Sequence, residues 1–229
     1  MTDKTDPLQS ESVQNFLKSI YALQQGGKRV STNEMAGLLN ISAPSVTDMA
    51  QRLEEVGLVD YQKYRGVMLT PAGEEEALKI LRRHRLIELY LVQELGYELY
   101  EVHSEAERLE HAVSDRFIEA IAARLGDPGL DPHGDPIPSA DGIIERRDLK
   151  PLSDWPLGVP AVIARIRATN DEMLQHIVGR GLQLHTQIEV LGRDPFEGPL
   201  TVRVDQTQQI VGYNVATCIL VEVLSDSNP

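Results

Sequence analysis

Histidine and carboxylate side chains are concentrated in one short segment of the sequence. The run HSEAERLEH, residues 103–111, contains His103, Glu107, Glu110 and His111. On an α-helix of 3.6 residues per turn, these four positions fall within about one third of the circumference. Four ligand-capable side chains on one face exceed what solvation of a helix requires, so the spacing predicts a metal site.

A second pair of such side chains lies in the preceding helical segment. His84 and Glu88 are four residues apart and therefore share a helix face. If this helix packs antiparallel to the one that carries residues 103–111, the two sets converge. Imidazole and carboxylate ligands without a thiolate suit Mn²⁺ first, and also Fe²⁺, Co²⁺ or Zn²⁺.

The same residues have a purely structural alternative. A glutamate-rich helix face is usually solvated, and its carboxylates could form surface ion pairs with Arg108. The remaining three histidines are interpreted as incidental, namely His133, His176 and His185.

The elements that must position these side chains are mostly helical up to residue 126. Apolar residues at three- and four-residue spacing predict amphipathic helices, Ser31 is a typical N-cap, and Pro44 suits a first helical turn. The predicted elements are helices over 13–23, from Ser31, from Pro44, over about 72–95 and over about 104–125, with β-like runs at 58–61 and 67–70.

Two short helices joined by a tight break and followed by a hairpin are typical of a winged helix-turn-helix. The second helix would present its N-terminal residues to base edges, and basic residues at the hairpin tip would meet phosphates. Asp48 counts against this, because a carboxylate near phosphates repels them unless it accepts from a cytosine amine. The alternative is a small helical bundle. The predicted DNA-binding residues are Ser42, Pro44, Ser45, Thr47, Asp48, Lys63 and Arg65.

The composition changes between Gly126 and Pro160. The stretch GDPGLDPHGDPIPSADG is too rich in proline and glycine for a long helix, and it predicts a domain boundary. Beyond it, β-branched runs and one short helical run indicate a small β-barrel with an inserted helix. The predicted elements are strands at 159–166, 187–191, 200–204 and 217–223 and a helix at 171–178.

The chain of 229 residues has 22 basic and 35 acidic residues, a net charge of −13. This balance argues against a generic nucleic-acid coat and favours cation binding, or a DNA reader whose charge is offset. No apolar run approaches the roughly 20 residues of a membrane helix, and the N-terminus lacks a secretory signal. With one cysteine, Cys218, a cytoplasmic protein with no membrane partner is predicted. Hydrolase and Walker motifs are absent, so an enzyme is not expected.

The run LRRHRLIELYLVQELGYELYEVHSEAERLEHAVSD, followed by DPHGDPIP, resembles the diphtheria toxin repressor and manganese transport regulator family. The specific motifs are RHRLxE, the HxxxExxEH spacing and DPHGxPIP, in that order. The resemblance covers almost the whole chain and implies a mainly α fold with a small β domain. The implied domains are a winged helix-turn-helix at 1–71, a helical metal-binding and dimerisation domain at 72–140, a linker at 141–157 and an SH3-like (FeoA-type) β-barrel at 158–229.

The resemblance also implies how the ligands divide between two metal sites. The ancillary site would use His84, Glu88 and His103, with Glu172 contributed by the SH3-like domain. The primary site would use Glu107, Glu110, His111 and, from the first helix, Asn15.

Three positions bear on the implied metal. At the position of Glu107, manganese-responsive members of the family have a glutamate and iron-responsive members have a cysteine. The glutamate of this chain therefore agrees with Mn²⁺. Asn15 departs from the usual Asp or Met, and its neutral amide is a weaker ligand, so Glu11 is the alternative. Lys18 replaces a carboxylate of two-metal manganese regulators, which argues against a closely spaced metal pair.

Together these features predict a metal-dependent transcriptional regulator, a repressor of metal-uptake genes. It is expected to bind double-stranded operator DNA as a homodimer when Mn²⁺ or Fe²⁺ is bound, with Co²⁺, Ni²⁺, Zn²⁺ or Cd²⁺ as possible substitutes. The alternatives are a winged-helix regulator controlled by a small organic effector and a metal-dependent hydrolase that carries a DNA-binding module.

Overall fold

The computed structural model describes residues 10–24, 27–145, 147–168 and 170–224, which form two compact units. The first contains the described residues up to Ile87, together with Ala106–Gly126 and Ile137–Ile144. The second contains Glu88–Glu105, Asp127–Pro136 and the described residues from Glu145 onward. None of the helices in the described ranges combines the length and the apolar character needed to cross a membrane.

The N-terminal part of the first unit consists of three helices, α1 (Glu11–Leu23), α2 (Thr32–Leu39) and α3 (Ala43–Glu55). A capping box starts α2: the Ser31 hydroxyl accepts from the Glu34 N–H, and the Glu34 carboxylate accepts from the Ser31 N–H. Asn40 ends α2 in the left-handed conformation, and Ser42 caps α3 two residues later. The predicted tight break between the two helices therefore follows from a left-handed backbone residue at the end of α2 and a side-chain cap at the start of α3.

One face of α1 is packed into the core of this part. Phe16, Leu17 and Ile20 are at most 1% exposed, and they contact buried residues of α2 and α3 such as Met35 and Val46. Full burial of an apolar side chain of this size contributes about 1.5–3 kcal/mol. The opposite face of α1 is therefore free of this core and can contact other elements of the unit.

A two-stranded antiparallel hairpin follows, formed by β1 (Val59–Gln62) and β2 (Gly66–Leu69). Val30, in the segment before α2, exchanges two backbone hydrogen bonds with Val67. At Gly66 the backbone has φ +100, and a Cβ there would lie 2.1 Å from the Val30 oxygen. The close approach fixes the hairpin to the helices, as expected of the wing in a winged helix-turn-helix.

The rest of the helical region consists of α4 (Pro71–Leu95), α5 (Val102–Leu109) and α6 (Asp115–Arg124). The prediction of one helix over about 104–125 was wrong. The helix ends at Leu109, and Ser114 starts a new one because its hydroxyl accepts from the Phe117 N–H. Glu110 and His111 therefore lie in a turn and do not continue the helical face assumed from the sequence.

The second unit contains a six-stranded antiparallel sheet of order β3-β8-β4-β5-β6-β7. Its core includes Leu152, Trp155, Ile163 and Ile177. The strands are β3 (Lys150–Pro151), β4 (Pro160–Ile166), β5 (Gln187–Arg193), β6 (Leu200–Val204), β7 (Thr207–Val211) and β8 (Ile219–Val223), and the helices are α7 (Asp171–Gly179) and α8 (Tyr213–Cys218).

The sheet differs from the sequence prediction at three places. Part of the predicted linker 141–157 belongs to it, because β3 pairs with β8 and the 3-10 helix Leu152–Asp154 places Leu152 in the core. β7 was not predicted, since its run of polar residues follows an exposed edge strand. Residues 217 and 218 end α8 and do not begin β8.

The segment Asp131–Pro136 is held against β4. Ile166 donates its N–H to the carbonyl of His133, and the Arg165 Nε donates to the carbonyl of Gly134. The Asp131 carboxylate accepts from the backbone N–H groups of His133 and Asp135, which fixes the loop internally. A Cβ at Gly134 would lie 2.2 Å from the Ala164 oxygen, so only glycine allows this approach.

We expect Gly134→Ala to lower the stability of the second unit by about 2–3 kcal/mol, because a left-handed backbone strain and a backbone clash both arise. Gly158→Ala is a matched control: Gly158 also has positive φ (+71), but a Cβ there meets no atom within 4 Å. Denaturant unfolding of both variants measures the difference. Equal losses would show that the loop is not held as closely as described.

Candidate metal centre

Glu110 and His84 form the most buried polar pair of the first unit. The Glu110 side chain is completely inaccessible to solvent, and the His84 side chain is 7% exposed. The His84 Nδ1 lies 2.5 Å from the Glu110 Oε2. The pair joins α4 to the turn that follows α5, so both elements have to be in place before the carboxylate is paired.

Glu107 adds a second carboxylate to this pair. Ligand atoms of His84, Glu107 and Glu110 all lie within 4.8 Å of one another, a spacing at which one ion could contact all three. From α1, the Lys18 Nζ lies 2.6 Å from the Glu107 Oε1 and 2.6 Å from the Glu110 Oε1. The two carboxylates are thus already gathered around one point.

His111 completes the same group. His84, Glu107, Glu110 and His111 are together called the primary cluster. Its Nδ1 lies 2.6 Å from the Gln14 Oε1 of α1, and its Nε2 lies 3.4 Å from the Glu110 Oε1. The His111 Nε2 is buried without a hydrogen-bond partner. Because burying an unpaired ring nitrogen is costly, this nitrogen indicates a position that a further binding partner, such as a metal ion, would fill.

The charge of Glu110 follows from these contacts. Burial alone would raise the pKa of the Glu110 carboxyl. The hydrogen bond and charge of His84, together with the Lys18 ammonium, outweigh burial and hold that pKa below its ordinary value. The ionised form, which is the form able to bind a metal, is therefore favoured.

Glu88 is the centre of a second cluster, which lies in the second unit. The His103 Nδ1 is 3.2 Å from the Glu88 Oε1, and the His133 Nε2 is 3.9 Å from the same oxygen. Glu88 is buried, whereas the His103 side chain is 63% exposed. His84 lies one helical turn before Glu88 on α4, as the spacing predicted, and both side chains are buried.

The predicted α1 ligand, Asn15, and its alternative, Glu11, are not among the residues that contact the primary cluster in the contacts described above. Asn15 of α1 lines a cavity of about 620 Å³ with Phe16, Pro44 and Met49, and its Oδ1 has no hydrogen-bond partner. The α1 residues that enter the primary cluster are instead Gln14 and Lys18, which are one turn apart. Glu11, the alternative ligand, is exposed in the first turn of α1.

Glu172 is exposed in the first turn of α7. The contribution of Glu172 to the ancillary site therefore stays a prediction.

Sequence reasoning missed two members of these clusters. His133 was interpreted as incidental, although it lies in the DPHG segment that β4 holds in place. Gln14 was missed because a neutral amide in a helix carries no ligand signal of its own. The available signal for Gln14 was its position, four residues before Lys18 on the face of α1 that does not carry the apolar stripe.

The predicted DNA-binding residues lie on the exposed surface of the helix-turn-helix. Ser42, Ser45 and Asp48 are exposed at the start of α3, where Pro44 is exposed too, whereas Thr47 is partly buried. The Ser42 and Ser45 hydroxyls are 2.8 Å apart and the Ser42 hydroxyl caps the helix. The α3 N-terminus thus presents small polar groups and its positive dipole end.

The negative charge of Asp48, which counts against DNA binding, is partly offset by a neighbouring arginine. Its carboxylate lies 3.8 Å from the Arg52 guanidinium one turn later. An exposed pair of this kind contributes little to stability but lowers the local negative charge.

The hairpin tip carries an aromatic residue between the two predicted basic ones. Lys63, Tyr64 and Arg65 are all exposed, and the Lys63 Nζ lies 5.2 Å from the centre of the Tyr64 ring. Tyr64 is 95% exposed with φ +68. An exposed aromatic ring beside two cations at a loop tip is suited to contact a sugar-phosphate backbone, and sequence reasoning did not single it out.

The donor set of the primary cluster fits a divalent cation. One imidazole and two carboxylates, those of His84, Glu107 and Glu110, have ligand atoms within 4.8 Å of one another, with no thiolate. The His111 imidazole lies beside Glu110, and the Gln14 amide oxygen contacts that imidazole. The unpartnered His111 nitrogen supports this fit. A cation held there would connect α1, through Gln14, to α4 and to the turn after α5.

Three family profiles match consecutive parts of the chain. Residues 9–67 match the iron dependent repressor N-terminal DNA binding domain, and residues 70–139 match the iron dependent repressor metal binding and dimerisation domain. Residues 150–223 match the FeoA domain.

Two similar proteins and one solved structure agree with these matches. The diphtheria toxin repressor of Corynebacterium glutamicum is 31% identical, over 79% of this chain and 84% of that protein. The iron-dependent repressor IdeR of Mycobacterium tuberculosis is 30% identical, over 81% of each chain. A solved manganese-dependent transcriptional repressor in complex with manganese is 40% identical, with a TM-score of 0.86 over 93% of this chain and all of that one.

We expect Glu110→Gln to weaken Mn²⁺ binding at the primary cluster by about 100-fold or more, because a buried charged ligand is lost while its shape is kept. Binding is measured by competition with a fluorescent chelator in a His103→Ala background, so that the second cluster does not contribute. Glu105→Gln, on the preceding helix α5 but outside the cluster, is the control. Unchanged affinity in Glu110→Gln would remove Glu110 from the site.

Proposed function

Because the chain belongs to the diphtheria toxin repressor family of metal-dependent transcriptional repressors, we propose that Mn²⁺ is the ion that switches it to its DNA-binding state. The family resemblance and the regulatory function predicted from the sequence are confirmed. The protein is a metal-dependent transcriptional repressor with DNA-binding, dimerisation and metal-binding regions, and it is not an enzyme.

The observation that carries the proposal is the primary cluster in the first unit. His84 and His111 supply imidazole nitrogens, Glu107 and Glu110 supply hard carboxylate oxygens, and Gln14 brings α1 to the same point. Mn²⁺ accepts such ligands readily, whereas a thiolate would favour softer ions. The one cysteine, Cys218, is buried in the core of the other unit.

A relative supports the same ion. The solved repressor that is 40% identical to this chain was described with manganese, whereas the IdeR relative is named for iron. Since Glu107 is a carboxylate, we place this chain with the manganese-responsive group and keep Fe²⁺ as the alternative ion.

Glu88, His103 and His133 are proposed as a second metal-binding set. His133 is held by its backbone contact with β4, so the FeoA domain determines where this ligand lies. The outer position of His103, which is mostly exposed, indicates a weaker and more accessible site than the primary cluster. Asn15 and Glu172 are not assigned to either set, and Glu11 is likewise left out.

Coordination at the primary cluster would couple metal to DNA through α1. Its core face packs on α2 and α3, which carry the DNA-reading surface, and its other face contributes Gln14 and Lys18 to the cluster. A ligand shifts a conformational equilibrium only by its differential affinity for the two states. Ligands from α1, α4 and the turn after α5 converge only when α1 is in one position, which supplies that difference.

The DNA-binding state is proposed to be a homodimer on double-stranded operator DNA that represses metal-uptake genes. In such a dimer the two α3 helices enter successive major grooves, about 34 Å apart. Each divalent ion also adds positive charge to a chain with net charge −13, which lowers its repulsion from DNA. A repressor acts where the chromosome is, so the expected cytoplasmic location follows from this function.

We expect chelation to weaken specific operator binding at least tenfold at constant ionic strength, since typical couplings between sites are about 5–150-fold. Titration of Mn²⁺, Fe²⁺ and Zn²⁺ into the DNA-binding assay then identifies the ion, and Mn²⁺ should restore affinity at the lowest free concentration. Equal operator affinity with and without chelator would contradict metal control and favour an organic effector.

We expect Lys63→Ala and Arg65→Ala each to weaken DNA binding by a similar factor on all sequences. Each substitution should reduce the slope of log affinity against log salt by about one, because one phosphate contact is lost. Lys150→Ala removes an exposed positive charge from β3 and serves as the control. If all three variants behave alike, net charge and not the hairpin tip explains the effect.

A further inference from the structure

Lys18 occupies the place in the primary cluster where a metal ion is expected. Its ammonium contacts both carboxylates, at 2.6 Å from the Glu107 Oε1 and 2.6 Å from the Glu110 Oε1. The Lys18 side chain is 17% exposed, Glu107 is 34% exposed and Glu110 is inaccessible, so the contact with Glu110 is the one shielded from water. A lysine ammonium is a compact positive charge with three donors and no acceptor, and it satisfies carboxylates as a cation does.

The two oxygens of Glu110 are both engaged in this arrangement. The Oε1 accepts from Lys18 and the Oε2 contacts His84. A divalent ion that binds Glu110 therefore has to share an oxygen with one of these contacts or displace it. Because Lys18 lies between the two carboxylates, its ammonium repels an incoming cation and also occupies space that the cation would need.

We propose that Lys18 is a tethered cation that stands in for the metal and sets the metal concentration at which the repressor responds. The inference rests on the proposed role of the primary cluster as a metal site. In the metal-free protein the ammonium neutralises part of the charge of Glu107 and Glu110. When a divalent ion is present, the same ammonium repels it, so the ion binds more weakly than the ligand set alone would allow.

Lys18 also links the same elements that a metal would link. It extends from α1 to α5 through Glu107 and to the following turn through Glu110. The metal-free protein thus keeps α1 attached by an ion pair, and breaking one side of a buried pair is destabilising because a buried charge is left uncompensated. Lys18 should therefore contribute to the stability of the metal-free chain and reduce its affinity for Mn²⁺, two effects of opposite sign.

The test compares Lys18→Leu with Lys79→Leu. Leucine is similar in bulk and cannot coordinate a metal. Lys79 is a matched control because its Nζ also contacts two glutamates, Glu75 and Glu76, each at 2.9 Å, but outside the cluster. Lys18→Arg retains the positive charge and should behave nearly as the parent.

Mn²⁺ affinity is measured in the His103→Ala background from the loss of the electron paramagnetic resonance signal of free Mn²⁺. We expect Lys18→Leu to bind Mn²⁺ about tenfold more tightly than the parent, with Lys79→Leu unchanged. A variant that merely loosened the fold would bind more weakly. Equal or weaker binding by Lys18→Leu overturns the proposal.

The metal-free proteins are also unfolded by heat in the presence of chelator. Lys18→Leu should unfold at a temperature lower by about 3 °C or more, and Lys79→Leu should not. This readout does not depend on metal binding. If the parent protein bound no Mn²⁺, the proposed function would fail, and the unfolding difference alone would decide whether Lys18 holds α1 in place. No difference between the two variants overturns that role.

Discussion

One buried carboxylate organises the functional part of this chain. Glu110 is completely inaccessible to solvent, and an ionised group in that position is tolerated only if it is paired and hydrogen-bonded. Its partners come from α4, through His84, and from α1, through Lys18. The DNA-reading helices are packed on α1, so the position of one charge is connected to the position of the surface that meets DNA. A cation bound at Glu110, as proposed, would act on the same connection.

The sequence was sufficient for the coarse fold and for the segment whose imidazoles and carboxylates lie close together. Helix starts were predictable because Ser31, Ser42 and Pro44 act locally, through capping and a preset φ. The cluster of imidazoles and carboxylates was predictable because their density in residues 84–111 exceeds that of a solvated helix. The helix break at Glu110–Ser114 was not, since no glycine or proline marks it and a single serine cap decides it.

The remaining site residues depended on tertiary structure. The packing of Phe16, Leu17 and Ile20 decides which face of α1 contacts the cluster. This packing directs Gln14 and Lys18 to the cluster, while Asn15 lines a separate cavity. His133 is 45 residues from Glu88 along the chain, and only the attachment of its loop to β4 brings the two together. Periodicity reports neighbours on one element and carries no information on such long-range contacts.

The attachment of the Asp131–Pro136 loop to β4 limits how freely this protein can be shortened. A chain that stopped before residue 150 would keep helices α1 to α6 and still lose the backbone partner of His133, together with the strand that leaves no room for a side chain at Gly134. The β-sheet therefore cannot be removed without losing the support of the Asp131–Pro136 loop. Any engineered version without it would need a different support for that imidazole or would lose the proposed ligand.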